Sequence, residues 1–341
     1  MLNKNYHVFE DKKNKVFQIR SKHETIITEF TNEMEKEIFQ KFVYIYSEGK
    51  SFANIGEFKA YFESDYPLEN ILNVINELQE FKILDEKEYI PSTSSLLDSQ
   101  LQFWKNGDYQ EWEKSQLKIT TTQLAIIGNS PIQQSLGIKA QEAGFKEISL
   151  LKISEDILNE SAIERIVQAA DFFIIDAEEW NPLFLELFNK IAFNFNKPWL
   201  LVRGVENSKG TVGPLFLGKA SGCYNCLQNR IKSNMEYLPY FQSYERYLSE
   251  NKLSSRGMAT PTPMYDILAS VAILETIKFV TEWTLPTVYK GYLMIDMYTY
   301  DFKRHPFLKA PVCGVCTPKV DFKIAPWLEP LRVETIEQTA L

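Results

Sequence analysis

Basic charge, long apolar runs and cysteine are all scarce in this sequence of 341 residues, and each scarcity removes a class of function. Lys and Arg number 37 against 45 Asp and Glu, a net charge of -8 at pH 7. A chain without a general basic surface has little to condense on a phosphate backbone, which excludes nucleic acid as the principal partner. No run approaches the roughly 18 apolar residues of a membrane span, and Met1 to Glu10 lacks the apolar core of a signal peptide, so the sequence predicts a cytoplasmic protein with no membrane partner. There are four cysteines, and in a reducing compartment paired cysteines serve as metal ligands or redox groups more readily than as structural disulfides. No internal repeat is visible.

With 45% hydrophobic and 24% charged residues, the chain has the composition of a folded α/β protein of about two domains. In the first ninety residues, Tyr6 to Glu10, Val16 to Arg20 and Thr25 to Phe30 are rich in β-branched and aromatic residues, and Asp11 to Asn14 supplies a hairpin connection. Helical spacing follows: Ile38, Phe39, Phe42, Val43 and Ile45; then Phe58, Tyr61 and Phe62; then Leu68, Ile71, Leu72, Ile75 and Leu78 after Pro67. A last strand or wing is expected at Ile83 to Ile90. Three strands, three helices and a wing are the order of a winged helix-turn-helix, with a generic packing domain as the plainer alternative. We therefore expect domain 1 over residues 1–90, a linker and connecting helix over 91–117 beginning at Pro91-Ser92-Thr93-Ser94-Ser95, and a second domain over 118–330.

In the second domain, Leu124 to Gly128, Glu147 to Lys152, Phe172 to Asp176 and Pro198 to Val202 are short apolar strands alternating with helices. Such alternation predicts a largely parallel, Rossmann-like sheet covered on both faces. A long apolar helix is expected from Pro263 to Phe279, and another strand from Leu293 to Asp301.

The four cysteines form two Cys-x-x-Cys pairs, Cys223/Cys226 and Cys313/Cys316. One such pair suits a chelate or a thioredoxin-type dithiol; two pairs and no other cysteine supply the four tetrahedral thiolates of a structural zinc site. Redox-active dithiols and unrelated free thiols are the alternatives. Gly222 and Gly314 are placed where the two turns would need backbone freedom. A closed four-thiolate site stabilises a fold and leaves no open position for catalysis, and with four thiolates at hand His305 is expected to pack rather than ligate.

Gly210-x-x-Gly213-Pro214-Leu215-Phe216, Gly222-Cys223-Tyr224-Asn225-Cys226-Leu227-x-x-Arg230, and His305-Pro306 ahead of Cys313-x-x-Cys316 resemble ThiF/MoeB-type proteins related to ubiquitin-activating enzymes. They look most like the members that accompany YcaO cyclodehydratases in ribosomally synthesised, azoline-forming peptide pathways, bacteriocin pathways included. The resemblance implies an amino-terminal PqqD-like winged helix-turn-helix that binds a precursor's leader peptide. It also implies a glycine-rich turn for nucleotide phosphates after the first strand of the second domain.

Here this chain departs from the pattern, with Gly128-Asn129-Ser130-Pro131-Ile132-Gln133-Gln134 carrying one glycine and a proline that has no amide proton. The second strand ends Leu150-Leu151-Lys152-Ile153 without the acidic residue expected for a ribose. Asp176-Ala177-Glu178-Glu179 keeps part of the acidic magnesium-binding step but is not followed by the expected arginine. ATP is therefore not expected as a cofactor, no catalytic residue is assigned, and the resemblance implies a scaffold that presents a leader-bound precursor to a YcaO-type cyclodehydratase. Strand addition at Thr25, Ile26, Ile27 and Thr28, with apolar side chains settling on Ile71, Leu72 and Ile75, is the expected mode of capture. An active adenylating enzyme acting on a peptide carboxylate is the rival, and the sequence leaves a homodimer open. A winged-helix DNA-binding regulator is disfavoured because Leu68 to Leu78 contains no basic residue.

Overall fold

The computed structural model describes residues 7–11, 13, 16–20, 25–48, 50, 52, 54–80, 112–255, 257 and 260–317. The expected wing at Ile83 to Ile90 and the linker at Pro91 to Ser95 lie outside the described residues. The chain divides into two compact units, Met1–Asp108 and Tyr109–Leu341.

In the first unit, strands β1 (His7–Asp11), β2 (Val16–Arg20) and β3 (Thr25–Thr28) form an antiparallel sheet in the order β1-β2-β3. Asp11 pairs with Val16 and Phe17 with Thr28. Three helices follow, α1 (Glu33–Ser47), α2 (Ile55–Phe62) and α3 (Leu68–Glu80). Asn32 and Asn54 start the first two by accepting from the amides of Met34 and Glu57, which satisfies donors a helix end leaves free. The period-two face of β2, Phe17 and Ile19, meets the period-3.6 faces of the helices in one core with Ile38, Phe39, Phe42, Phe58, Phe62, Ile71, Val74, Ile75 and Leu78. Phe17 and Phe39 meet edge-on with centroids 4.9 Å apart, a favoured aromatic geometry.

The second unit opens with α4 (Trp112–Thr121) and is built on a seven-stranded sheet in the order β10-β9-β8-β7-β6-β4-β5. β4 (Gln123–Ile127), β5 (Glu147–Leu151), β6 (Phe172–Asp176) and β7 (Trp199–Glu206) run parallel, with α5 (Pro131–Glu142), α6 (Glu160–Gln168) and α7 (Pro182–Asn194) as connections. β8 (Lys209–Phe216), β9 (Gly291–Asp296) and β10 (Phe302–Pro306) pair antiparallel, so the sheet is mixed where the strand–helix alternation predicted a largely parallel one. Of the expected strand at Leu293 to Asp301 only the part to Asp296 is strand; β9 ends there and a turn leads into β10, which begins at Phe302. Helices α8 (Tyr224–Lys232), α9 (Leu238–Glu250) and α10 (Thr262–Thr281) complete the unit.

β4 and β6 are apolar along their length because both faces of these strands are covered. Strand β4 lies between β5 and β6, so the chain's course reverses about it, and its carboxyl end is where open α/β sheets receive ligands. Among the described residues no helix is long and apolar enough to cross a membrane.

Candidate functional site

Three places in the fold carry chemistry: a cysteine cluster, the turn after β4, and the outer edge of β3. Cys223 caps α8 and Cys226 lies in its first turn, while Cys313 and Cys316 come from the segment after β10. All four are buried, and their sulfurs lie within 4.8 Å of one another. Cys223 Sγ is 3.9 Å from Cys226 Sγ and 3.6 Å from Cys313 Sγ, and Cys226 Sγ is 3.3 Å from Cys316 Sγ.

Four sulfurs about 2.3 Å from a tetrahedral Zn²⁺ stand about 3.8 Å apart, so this donor set fits such an ion. The hydrogen bond from Cys223 pushes the Cys226 thiol well below its ordinary range, toward thiolate. The amide of Asn225 donates to Cys313 at 3.3 Å, a bond that favours thiolate and orients the ligand. The cluster is continuous with the core through Trp199, Phe216, Tyr224, Leu227 and Phe307. The glycines differ from expectation. A side chain at Gly222 would come within 2.7 Å of the Phe307 ring, so this glycine is required by close packing; at Gly314 an added carbon would meet nothing within 4 Å. His305 stacks on Tyr292 with centroids 5.1 Å apart, outside the cysteine cluster.

The turn after β4 is closed by its own side chains. Asp176, at the end of β6, accepts from Ser130 N at 3.1 Å and from Ser130 Oγ at 2.8 Å, and its other oxygen accepts from Glu178 N at 3.1 Å. A carboxylate thus sits at the helix amino terminus, where partial positive charge and free amides otherwise attract phosphate. Ser130 Oγ accepts from Ile132 N, Asn129 exchanges two hydrogen bonds with the backbone of Ile153, and Gln133 donates to the carbonyls of Ile126 and Leu151.

Gly128 is needed because Asp176 crowds it: an added Cβ would lie 2.5 Å from that of Asp176. Burial pushes the Asp176 carboxyl above its ordinary range despite the hydrogen bonds from Ser130 and Glu178. Glu178 is also engaged, accepting from Val205 N at 2.8 Å. The missing glycines were visible in the sequence. The carboxylate that fills their place was not, since it arrives from a strand 46 residues away.

The expected peptide-binding residues divide among different surroundings. β3 is an outer strand, and among the described residues nothing pairs with its free edge. Ile27 is 61% exposed, and Thr25 is exposed, whereas Ile26 packs against the core. Thr28 is buried and donates to Glu77 of α3. Ile71 and Ile75 are 0% and 2% exposed and belong to the core, while Leu72 between them is 40% exposed. Glu77 marks the flank of α3 that meets β3, and five residues of helix turn Leu72 about 140° away from it. The structure therefore brings Thr28 to α3 but does not bring Leu72 to the β3 edge.

No protein-family model matches the chain, and no curated protein matches it. Solved structures do. The heterocyclase TruD superposes with a TM-score of 0.63 at 19% identity over 93% of this chain and 42% of that one. A heterocyclase in complex with substrate and cofactor gives 0.62 at 17% identity, over 93% and 39%. MccB of E. coli, with AMPCPP and selenomethionine MccA, gives 0.57 at 16% identity, over 93% and 98%. This chain shares a fold with these proteins and spans about two fifths of the heterocyclases it resembles.

Proposed function

We propose that this protein is a leader-peptide-binding scaffold of the ThiF/MoeB type, with a PqqD-like amino-terminal unit, which presents a ribosomally made precursor to a YcaO-type cyclodehydratase. The observation that carries the reading is the free edge of β3 beside α3. An extended leader adds there as a fourth strand, main-chain hydrogen bonds supply affinity, and side chains on alternate positions supply selectivity. The inner side of such a strand would meet the flank of α3 at Glu77, which accepts from Thr28, and its outer side would lie next to Ile27. The closed turn at Gly128 to Gln133 supports the scaffold role, because the groups that would receive phosphate already hold Asp176. The likeness to TruD supports the pathway class.

Cys223, Cys226, Cys313 and Cys316 would hold zinc as a structural clamp, joining the start of α8 to the segment after β10. The thiolates would be the ion's whole coordination shell, so it supplies stability and no reaction step.

One observation favours an adenylating enzyme instead: the superposition spans 98% of MccB, a protein crystallised with AMPCPP. Titration of the full chain with the leader of the precursor encoded beside its gene, in parallel with magnesium-ATP, separates the readings. The scaffold reading expects leader binding without nucleotide binding. Micromolar ATP affinity with peptide-dependent AMP formation selects the enzyme.

A further inference from the structure

Arg203 stands where the chain's course along β7 is irregular. Val202 pairs with Val212 and Gly204 with Thr211, so Arg203 is the extra residue of a β-bulge near the carboxyl end of a parallel strand. Bulges re-aim side chains and recur beside binding sites. Its Nε is buried without a hydrogen-bond partner, and its Nη2 has only a long contact of 3.5 Å to Thr211 Oγ1. The guanidinium lies 5.4 Å from the ring centre of Tyr292. Among the described residues no carboxylate forms an ion pair with it; Glu206 acts on it only at longer range, alongside the phenols of Tyr292 and Tyr224.

A guanidinium remains charged in proteins, and in the half-buried Arg203, whose Nε is fully enclosed, that charge is partly withdrawn from water with one aromatic face and no paired carboxylate to offset the cost. Among the described residues two other buried nitrogens lack partners, and each residue touches one of these two tyrosines. Asn189, whose Nδ2 is free, accepts from the amide of Tyr224, and His305, whose Nε2 is free, stacks on Tyr292. Three donor-capable side chains from α7, β7 and β10 thus remain unsatisfied around one pair of tyrosines. With Tyr292 against the guanidinium, the group left to bind is its planar edge, which matches the two oxygens of a carboxylate.

We propose that Arg203 forms a carboxylate-binding site at the carboxyl end of β7, receiving a terminal or side-chain carboxylate of the peptide this protein captures. The identity of the ligand rests on the scaffold reading above; the carboxylate chemistry rests on Arg203.

The test is an NMR titration of the Arg203 Nε–Hε resonance in the full chain, assigned by its loss in Arg203→Lys. The probes are N-acetylglycine for a terminal carboxylate, the N-acetyl N-methylamide of aspartate for a side chain, inorganic phosphate, and N-acetylglycinamide as the uncharged control. The expected result is a saturable shift with one or both carboxylates and none with the control; which probe binds tighter identifies the source. Carboxylate binding, read by thermal stabilisation, should weaken at least about tenfold in Arg203→Lys, which keeps the charge but loses the fork. If that variant does not fold, the wild-type titration decides alone. A resonance unmoved by either carboxylate, moved equally by the control, or moved only by phosphate overturns the proposal. Leader titration on the same preparations is independent. A leader that fails to bind while carboxylates shift Arg203 rejects the scaffold reading and leaves this site standing.

Discussion

The free edge of β3 and the turn after β4 are both places where a sheet offers hydrogen-bonding backbone to a ligand, and this chain treats them oppositely. At β3 nothing among the described residues pairs with the outer edge, and Ile27 stands in solvent. After β4 the serine amide, the serine hydroxyl and the following amides are all consumed, two of them by the Asp176 carboxylate. A strand edge recognises an extended peptide through its main chain, whereas a helix amino terminus recognises phosphate through free amides and a positive end. The first capacity is open here and the second is filled. That contrast favours a protein that holds a peptide over one that spends a nucleotide.

The largest effect we expect comes from the cysteine cluster, proposed above to clamp the second unit through a bound zinc. Cys226→Ser should abolish metal binding, and since thiolate ligation of zinc is commonly coupled to folding at about 10 kcal/mol or more, it should also reduce soluble yield. Elemental analysis of protein purified without added metal should give close to one zinc per chain; no zinc, with four reactive thiols, removes the clamp from the account.

Next in size are core changes that separate folding from capture. Ile75→Ala should cost about 2–5 kcal/mol in urea unfolding, because Ile75 lies inside the first unit's core. Leu72→Ala should cost much less, and leader affinity should scarcely change, because Leu72 faces away from β3. A large loss of affinity on Leu72→Ala would mean that the leader crosses α3 and not the sheet edge.

Third, Ile27→Pro should weaken leader binding by removing a donor and fixing φ in the edge strand. Circular dichroism must show the variant folded, with Ile27→Ala as a milder companion for the same titration. Equal binding by a folded Ile27→Pro variant would break the comparison at its open end.

The smallest effect concerns the filled turn. Asp176 titrates above its ordinary range in the folded chain because it is buried, so its protonated form favours the fold. Its contribution is fully present below the unfolded carboxylate range and is lost as pH rises through the raised folded value. Asp176→Asn should therefore flatten that part of the stability-versus-pH curve. An unchanged pH profile would mean that Asp176 does not titrate there.

Much of this was legible beforehand for local reasons. β2 and β3 begin where β-branched residues cluster, α5 starts at Pro131 behind Ser130, and the two Cys-x-x-Cys pairs announce a common site by number and spacing alone. The rest turns on helical phase and on partners distant in the sequence. The apolar spacing of α3 groups Leu72 with Ile71 and Ile75, yet one residue is a turn of about 100°, enough to move Leu72 from core to surface. The antiparallel half of the sheet carries little sequence signal, because β8 has glycines and a proline where strands are usually continuous, and β10 is short and charged. Asp176 reads in the sequence as part of a magnesium-binding step, and its hydrogen bonds with Ser130 are visible only in the fold. Arg203 carried no signal at all, since a bulge is a relation between two strands.

The most direct test of the account is calorimetric titration of the full chain with the precursor's leader and, separately, with magnesium-ATP. We predict saturable leader binding that changes little with salt, as expected for backbone and apolar contacts, and no heat from the nucleotide. Tight nucleotide binding with an unbound leader would contradict it.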